Sequence, residues 1–316
     1  MEQIAVVIPC YRVGALVLDV IARIGPEVEW IFVIDDACPV HTGEVVLQKC
    51  TDARVQVIEH VANSGVGGAV ISGYKAALRT SASIVVKIDG DGQMDPTLIP
   101  KLCKSIVSGG ADYVKGNRFY RLNDVSSMPA VRLLGNLFLS FLTKMSSGYW
   151  QLFDPTNGFT AIHKAVLQEL NLDAISKRYF FESDMLYHLN QLRAVVAEMP
   201  MIATYNNELS SLKPAKMIWP FLQKNLCNVI RRILYTYFLR NFSIASLELL
   251  LSIPLVIFGS VYGIYHWFHA VITSTQSAPG IVMAAALPLI IGTQFGLSWL
   301  NFDVSNQPRF PIHNLL

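Results

Sequence analysis

The stretch that decides the fold is Ser83-Ile84-Val85-Val86-Lys87-Ile88-Asp89-Gly90-Asp91-Gly92-Gln93. Its first half is a short apolar run rich in β-branched residues, which predicts a buried strand. Asp89 and Asp91 follow at the strand end, and carboxylates two residues apart project to the same side. Such a pair suits one divalent cation beside a diphosphate, because phosphate oxygens and water complete the metal shell. Taken alone, residues 89–93 fit a polar glycine-rich turn equally well.

Strand and helix patterns alternate on both sides of this stretch, between residues 4 and 116. The predicted strands are 4–8, 30–34, 55–58, 84–88 and 113–115, and the predicted helices are 15–24, 42–50, 67–80 and 96–107. This alternation predicts right-handed βαβ units and therefore an α/β fold with a mostly parallel sheet. Ligands of such sheets bind at the carboxyl ends of the strands.

Acidic or ring residues stand at three of these strand ends. They are Pro9-Cys10-Tyr11-Arg12, Asp35-Asp36 and Asp89-Gly90-Asp91. Parallel strands end at the same edge of the sheet, so these three segments are expected to lie close together. A common ligand site explains them better than three unrelated turns do. The segment 63–69 opens the third helix and is interpreted as a tight turn, although a helix N-terminus also suits an anion. It lacks the P-loop lysine and the last glycine of the dinucleotide fingerprint, which argues against a dehydrogenase.

The apolar character of the chain is concentrated near its C-terminal end. Mean hydropathy is +0.40, and the charged fraction of 15% is below the ~25% of ordinary soluble domains. No Asp, Glu, Lys or Arg occurs from Leu249 to Phe302. Two apolar stretches, 244–268 and 281–302, each reach about the 20 residues that cross a bilayer. A transmembrane hairpin is predicted, with a buried hairpin of a large soluble protein as the alternative.

The basic residues predict an orientation for this hairpin. Lys and Arg are frequent between 213 and 240, whereas the turn at 274–280 contains none. Residues 1–3 lack the basic start of a signal peptide. The positive-inside rule then places residues 1–240 and the tail from Asp303 in the cytoplasm, in an integral protein of the inner membrane. The basic stretch suits anionic lipid headgroups or is a solvated helix face. Five cysteines without a C-x-x-C pair indicate reduced thiols.

The predicted organisation has four parts. They are an α/β domain at 1–210, a basic juxtamembrane segment at 211–242, the hairpin at 243–302 and a cytoplasmic tail at 303–316. Within the first part, residues 131–145 form an amphipathic pattern, which either lies in a membrane interface or packs on the domain core. A further helix is predicted at 180–192, where Ser183 and Asp184 fit a helix cap.

In their order and spacing, these motifs resemble those of family 2 glycosyltransferases with a GT-A fold. Within that family the chain looks like the polyprenyl-phosphate branch, which includes dolichol-phosphate mannose synthases. The matching segments are 7–11, 34–38, 63–69, 89–93, 115–118 and 157–159. The chain departs from the family after Asp36, where Ala37-Cys38-Pro39 replace the usual Gly or Asn followed by Ser.

The resemblance implies roles for particular residues. A nucleotide sugar, either a UDP- or a GDP-sugar, is expected at Pro9, Tyr11, Arg12, Asp35, Asp36, Gly65, Asp89 and Gly90. Mg²⁺ or Mn²⁺ is expected at Asp89, Asp91 and Gln93. The expected catalytic residues are Asp91, Arg118, Arg132 and Asp184. Arg118 and Arg132 match the basic positions that bind the acceptor's phosphate, and Asp184 or Glu182 would be the base if the acceptor were a sugar hydroxyl.

The implied activity is an inverting transfer of sugar to undecaprenyl or dolichyl phosphate, for the synthesis of a cell-surface glycan. One alternative is transfer to a lipid-linked saccharide in O-antigen or capsule assembly. Another is a non-catalytic membrane scaffold that binds nucleotide sugar. Packed hairpins favour a homo-oligomer, and no nucleic-acid partner is expected.

Overall fold

The computed structural model describes residues 2–120, 130–201 and 214–316, without the side chains of 130–134, 136 and 214–218. The chain forms two compact units. The first contains Met1–Val229 and Pro308–Leu316, and the second contains Ile230–Gln307. The first is an α/β unit and the second is helical.

The first unit contains one seven-stranded sheet. Its strands are β1 (Ile4–Cys10), β2 (Val28–Asp35), β3 (Val55–Glu59), β4 (Ile84–Lys87), β5 (Tyr113–Asn117), β6 (Thr160–His163) and β7 (Val196–Pro200), in the spatial order β3-β2-β1-β4-β6-β5-β7. Only β6 runs antiparallel to its neighbours. The predicted α/β class with a mostly parallel sheet is confirmed. The sequence alone did not reveal that β6 separates β4 from β5.

The structure describes eight α-helices before the hairpin, and members of this set pack on each face of the sheet. They are α1 (Leu16–Ala22), α2 (Thr42–Lys49), α3 (Val66–Ala77), α4 (Ile99–Val107), α5 (Ala130–Ser147), α6 (Lys164–Glu169), α7 (Phe181–Leu192) and α8 (Pro214–Ile233). Alternate residues of β1 enter different cores: Val6 packs with the side of α4, and Val7 with the side of α3 and α7. Because both faces are covered, the strand reads as a continuous apolar run rather than an alternating one.

Three apolar side chains of α5 are exposed, while other described apolar side chains of the helix are partly buried. Leu137, Phe138 and Phe141 are 45–55% exposed, whereas Thr143 and Ser146 are almost fully buried. The small hydroxyl face therefore packs on the domain, where Ser146 donates a hydrogen bond to Asn225 at 2.6 Å. Of the two interpretations of this amphipathic pattern, packing of the apolar face on the core is wrong for these residues.

Residues near the C-terminal end also belong to the α/β unit. The fully buried carboxylate of Asp112 accepts hydrogen bonds from the backbone N–H groups of Ile312 and His313, at 3.0 and 2.9 Å. The Nδ1 of His313 lies 2.7 Å from the same carboxylate, and its ring stacks on His163. Val195 N–H is a further donor to Asp112, at 2.7 Å. One buried acid thus fixes a segment 200 residues further along the chain.

The second unit is built around a helical hairpin. A π-helical stretch (Leu234–Arg240) precedes α9 (Ile244–Thr273) and α10 (Pro279–Ser305). Both helices are long and apolar enough to cross a membrane. Gly259 and Gly292 have no room for a Cβ between the two helices, and Ser252 donates a hydrogen bond to the carbonyl of Gly292 at 2.8 Å. Close packing through small residues is typical of helices in bilayers.

Candidate active site

The antiparallel strand β6 brings a loop to the carboxyl ends of β4 and β5. Thr160, its first residue, pairs with Lys87 of β4 on one side and with Lys115 of β5 on the other. The preceding loop, residues 154–159, therefore lies beside Asp89. A Cβ on Gly158 would collide with Lys87 Nζ and with Asp89 Oδ2. Only glycine lets the loop approach the two charged groups this closely.

Lys87 is a buried cation at this edge, with 1% of its surface exposed. Its Nζ forms an ion pair with Asp89 Oδ1 at 2.9 Å, although the two groups are not aligned for a hydrogen bond. The same Nζ donates a hydrogen bond to Glu182 Oε1 at 3.2 Å. Burial alone would lower the pKa of Lys87. The charges of Asp89 and Glu182 outweigh that effect and raise the pKa well above its ordinary value. Lys87 therefore stays an ammonium and binds both carboxylates in one cluster.

Asp89, Asp91 and Gln93 form the turn after β4. The side chain of Asp89 is 29% exposed, and Asp91 Oδ1 accepts a hydrogen bond from the backbone N–H of Gln93 at 3.0 Å. Gly92 has a φ of +78°, which permits this tight turn. Gln93 thus contributes its backbone to the turn.

The donors of this turn fit a divalent metal. Across the described ranges, no cluster of three or more His, Cys, Asp or Glu residues could hold a metal ion. Two carboxylates next to an open edge are nevertheless the donor set with which Mg²⁺ or Mn²⁺ is shared between a protein and a phosphate ligand. Asp89 and Asp91 could hold it, and a metal contact of the Gln93 side chain stays a prediction.

The carboxylate of Asp35 is buried and accepts hydrogen bonds from the backbone. Its Oδ1 accepts from Cys38 N–H at 2.7 Å, and its Oδ2 from Gly43 N–H at 2.6 Å. Asp35 therefore holds the loop that leads into α2. The departure from the family's pattern at Ala37-Cys38 falls within this loop, where Ala37 has a φ of +51°.

Asp36 fixes a second loop, the one that opens α3. Its Oδ1 accepts from Ser64 N–H at 2.8 Å, and its Oδ2 from Gly65 N–H at 2.7 Å. His60 Nδ1 lies 2.8 Å from Oδ1, while its Nε2 contacts Ser72 Oγ, also at 2.8 Å. The turn interpretation of residues 63–69 agrees with this geometry. The sequence did not single out His60, because its two side-chain partners, Asp36 and Ser72, come from separate segments of the chain.

The residues after β1 complete this edge of the sheet. Pro9 is paired within β1, opposite Ile34. Tyr11 follows with 45% of its surface exposed, and the guanidinium of Arg12 lies 5.3 Å from its ring centroid. Gly90 packs closely on Cys10, at the base of the turn. An accessible aromatic ring thus stands at the same edge as the acidic turn.

A second buried cluster lies on the β5 side of β6. The guanidinium of Arg118 donates two hydrogen bonds to Asp154, at 2.7 and 2.9 Å, and Asp154 is fully buried. Burial alone would raise the pKa of Asp154, but Arg118 and Lys115 hold it below its ordinary value. The Nζ of Lys115 donates to the carbonyls of Pro155 and Asn157. The loop that carries Gly158 is thus held by one arginine and one lysine.

The other two expected catalytic residues lie elsewhere. Arg132 is in α5, and its side chain lies outside the described residues. Asp184 is 6% exposed, and its carboxylate accepts hydrogen bonds from Ser176 N–H and from Asn228 Nδ2, both at 2.8 Å. Through Asn228, Asp184 connects α7 to α8. Its catalytic role stays a prediction. Glu182, not Asp184, joins the cluster around Lys87.

Comparison with known proteins identifies the family. Residues 5–170, more than half of the chain, match the model described as Glycosyl transferase family 2. The chain belongs to that family. It is therefore a glycosyltransferase, as its motifs predict.

The relatives of this glycosyltransferase include two sugar transferases whose names specify a polyprenyl phosphate. It is 29% identical over 218 residues to UDP-N-acetylglucosamine--dolichyl-phosphate N-acetylglucosaminyltransferase of Methanococcus voltae, covering 65% of this chain and 86% of the relative. It is 30% identical over 173 residues to undecaprenyl-phosphate mannosyltransferase of Micrococcus luteus, covering 54% and 70%.

A solved structure resembles the glycosyltransferase in fold. Glucosyl-3-phosphoglycerate synthase from Mycobacterium tuberculosis, in complex with Mn²⁺, UDP and glucosyl-3-phosphoglycerate, has a TM-score of 0.52 and 20% sequence identity. The match covers 73% of this chain and 80% of that chain. It supports the GT-A architecture of the α/β unit.

Proposed function

We propose that this glycosyltransferase moves a sugar from a nucleotide sugar, a UDP- or GDP-sugar, to the phosphate of a polyprenyl lipid. The observation that carries the proposal is the acidic turn of Asp89 and Asp91, fixed by buried Lys87 at the ligand-binding edge of the sheet. The same chain has two helices suited to a membrane. The relatives named for dolichyl and undecaprenyl phosphate support this choice of acceptor.

The donor is assigned to the edge formed by β1, β2 and β4. Asp89 and Asp91 would hold Mg²⁺ or Mn²⁺, and the related synthase whose complex contains Mn²⁺ and UDP supports this choice. A metal bound there supplies positive charge that stabilises the leaving diphosphate. Lys87 orients Asp89 through their ion pair. Tyr11 offers a ring face for the base, while Asp35 and Asp36 keep the loops around it in place.

The acceptor is assigned to the arginines beyond β5. Asp154 binds the Nε and Nη2 atoms of Arg118 and thereby holds the guanidinium in one orientation, and its positive charge would attract the phosphate oxygens. Arg132 is the second proposed phosphate contact. The phosphate oxygen attacks the anomeric carbon opposite the departing diphosphate, which inverts that centre through an oxocarbenium-like transition state. Because a phosphate is already ionised near neutral pH, the reaction needs no strong general base. Asp184 therefore acts as a brace in this proposal.

The membrane location follows from the lipid acceptor. Its isoprenoid chain stays in the bilayer, so the enzyme must reach the phosphate at the membrane surface. The exposed apolar residues Leu137, Phe138 and Phe141 of α5 suit such a surface. We place the α/β unit in the cytoplasm and the hairpin in the inner membrane, in agreement with the distribution of Lys and Arg. Self-association through the hairpins is part of this proposal.

The test uses the full-length enzyme in detergent with Mn²⁺ and radiolabelled UDP- and GDP-sugars. Polyprenyl phosphate and a lipid-linked oligosaccharide are compared as acceptors. We expect product with polyprenyl phosphate and a loss of about 100-fold or more for Asp91→Asn, because the turn loses a carboxylate that would hold the metal, and with it the positive charge that stabilises the leaving diphosphate. Asp19→Asn, at an exposed position of α1, is the matched control.

Two outcomes would contradict the proposal. Product with the oligosaccharide alone would assign the enzyme to the assembly of lipid-linked saccharides instead. Full activity of Asp91→Asn would remove the acidic turn from the mechanism.

A further inference from the structure

A cleft in the second unit is lined by none of the residues of the strand-end site. It has a volume of about 460 Å³, within the ~300–1,000 Å³ of small-molecule sites. Its lining residues are Thr236, Tyr237, Arg240, Asn241, Phe242, Ser243, Phe302 and Asn306. Among these eight residues, all of which the structure describes, Arg240 is the only one with a charged side chain. Amide and hydroxyl groups supply further polar contacts. The cleft therefore suits a small anion.

The nearby acid does not oppose an anion, because it is neutralised within the fold. Arg232 donates to both oxygens of Asp303, at 2.6 and 2.9 Å, and the hydroxyl of Tyr237 donates to Oδ1 at 2.6 Å. All three residues are at most 4% exposed. Arg232 is thus a structural cation, which corrects the interpretation of the whole basic stretch as a lipid-binding or solvated face.

The start of α9 borders the cleft and adds positive potential. Ser243, one of the lining residues, is the N-cap of this 30-residue helix, and it forms a reciprocal capping box with Ser246. The N-terminus of a helix carries the positive end of its dipole. The dipole and Arg240 therefore act in the same direction on a ligand in the cleft.

Apolar side chains surround this polar cleft. Phe242 is 63% exposed and Phe302 is 41% exposed, and both line it. Leu239 and Ile244, which flank the same break between helices, are 79% and 75% exposed. Aromatic residues at the end of an apolar hairpin are typical of the depth at which lipid headgroups meet acyl chains. A ligand here would have an anionic head and an apolar tail.

We propose that this cleft binds the phosphate group of an anionic membrane lipid. Arg240 and the amides of Asn241 and Asn306 would contact the phosphate oxygens, and the lipid's chains would lie along the exposed faces of α9 and α10. An anionic phospholipid and polyprenyl phosphate share this chemistry. The site needs the hairpin to be in a membrane, but it does not depend on sugar transfer.

The test measures lipid binding to the full-length protein in detergent without any sugar donor. Native mass spectrometry counts bound phosphatidylglycerol, phosphatidylcholine and polyprenyl phosphate, each added separately. We expect the wild type to retain at least one anionic lipid, and Arg240→Gln to bind it about tenfold more weakly. Arg231→Gln, at an exposed position that does not line the cleft, is the control and should bind like the wild type. The lipid retained identifies which of the two sources occupies the site.

Three results would overturn the proposal. They are equal binding by the wild type and Arg240→Gln, equal binding of phosphatidylcholine and phosphatidylglycerol, and binding of inorganic phosphate as tight as that of the lipid. If Arg240→Gln unfolds, Asn306→Leu takes its place, with the same expected weakening. Because the binding test contains no sugar donor, a failure to bind lipid would not count against the proposed sugar transfer. A failure of sugar transfer would likewise not count against lipid binding in this cleft.

Discussion

Two buried lysines flank β6, and their surroundings give them opposite properties. Lys87 and Lys115 pair with the same residue, Thr160, and both are at most 1% exposed. Lys87 faces the carboxylates of Asp89 and Glu182, which raise its pKa. Lys115 donates to two backbone carbonyls, and burial lowers its pKa to about 8. Equal burial therefore does not decide the charge of a lysine; its partners do.

The difference separates two tasks at one edge of the sheet. Lys87 supplies a permanent positive charge where the proposed metal and diphosphate bind. Lys115 supplies hydrogen bonds that hold the loop carrying Gly158, and a deprotonated amine would still donate them. If this division is correct, substitution of Lys87 should affect transfer, and substitution of Lys115 should affect mainly stability.

The largest effect is expected for Lys87→Met. The change leaves Asp89 and Glu182 without their shared cation, and breaking a buried ion pair from one side costs about 3–5 kcal/mol of unfolding free energy. Sugar transfer should also fall by about 100-fold or more, because Asp89 loses its orientation. Chemical denaturation and the radiolabel assay measure the two effects.

Lys75→Met is the matched control for Lys87. Lys75 forms an ion pair with Asp173 at 2.6 Å, but both side chains are largely exposed. This variant should resemble the wild type in both assays. Equal losses in Lys75→Met and Lys87→Met would show that the buried cluster has no special role.

A smaller effect is expected for Gly158→Ala. The new methyl group would press on Lys87 Nζ and Asp89 Oδ2, and overpacking of this kind costs about 1–3 kcal/mol. Transfer should fall by a larger factor than stability alone explains, since the displaced groups belong to the proposed metal site. Gly110→Ala, where a Cβ meets only ordinary contacts at 3.4 Å or more, is the control. Unchanged transfer by Gly158→Ala would separate this loop from the site.

The last effect is a contribution of Lys115 to the pH dependence of stability. Its folded pKa of about 8 is below the ordinary 10.5, so the unfolded chain binds the extra proton between these values. Stability should therefore rise with pH across that window, by up to about 1.4 kcal/mol per pH unit. Lys115→Met should lack this contribution. The raised pKa of Lys87 acts oppositely: its contribution is complete below the unfolded value and is lost only at higher pH.

Denaturation curves at pH 7, 8, 9 and 10 for the wild type and Lys115→Met measure this difference directly. Subtracting one set from the other cancels the titration of groups common to both proteins. Parallel curves would mean that Lys115 titrates alike in the folded and unfolded chain.

Much of the α/β unit could be predicted from local sequence. Strands β1, β2 and β4 follow from continuous apolar runs, and the acidic residues after β2 and β4 mark the ligand edge because parallel strands end together. The sequence could not reveal the clusters around Lys87 and Lys115, since lysine is rarely buried and the partners are distant in the chain. It assigned Asp184 to a helix cap or a base, because its contact with Asn228 depends on how α7 and α8 pack.

The return of residues 308–316 to the α/β unit has a consequence for how the protein is made. In order of synthesis, the hairpin is an insertion between two pieces of one domain. Val195 precedes it, but Ile312 and His313, which donate the other described hydrogen bonds to Asp112, follow it. Asp112 therefore stays short of donors until the hairpin has left the ribosome. Membrane insertion and completion of the α/β domain are thereby coupled. A fragment that ends at residue 229 would lack the hydrogen bonds from Ile312 and His313 to Asp112.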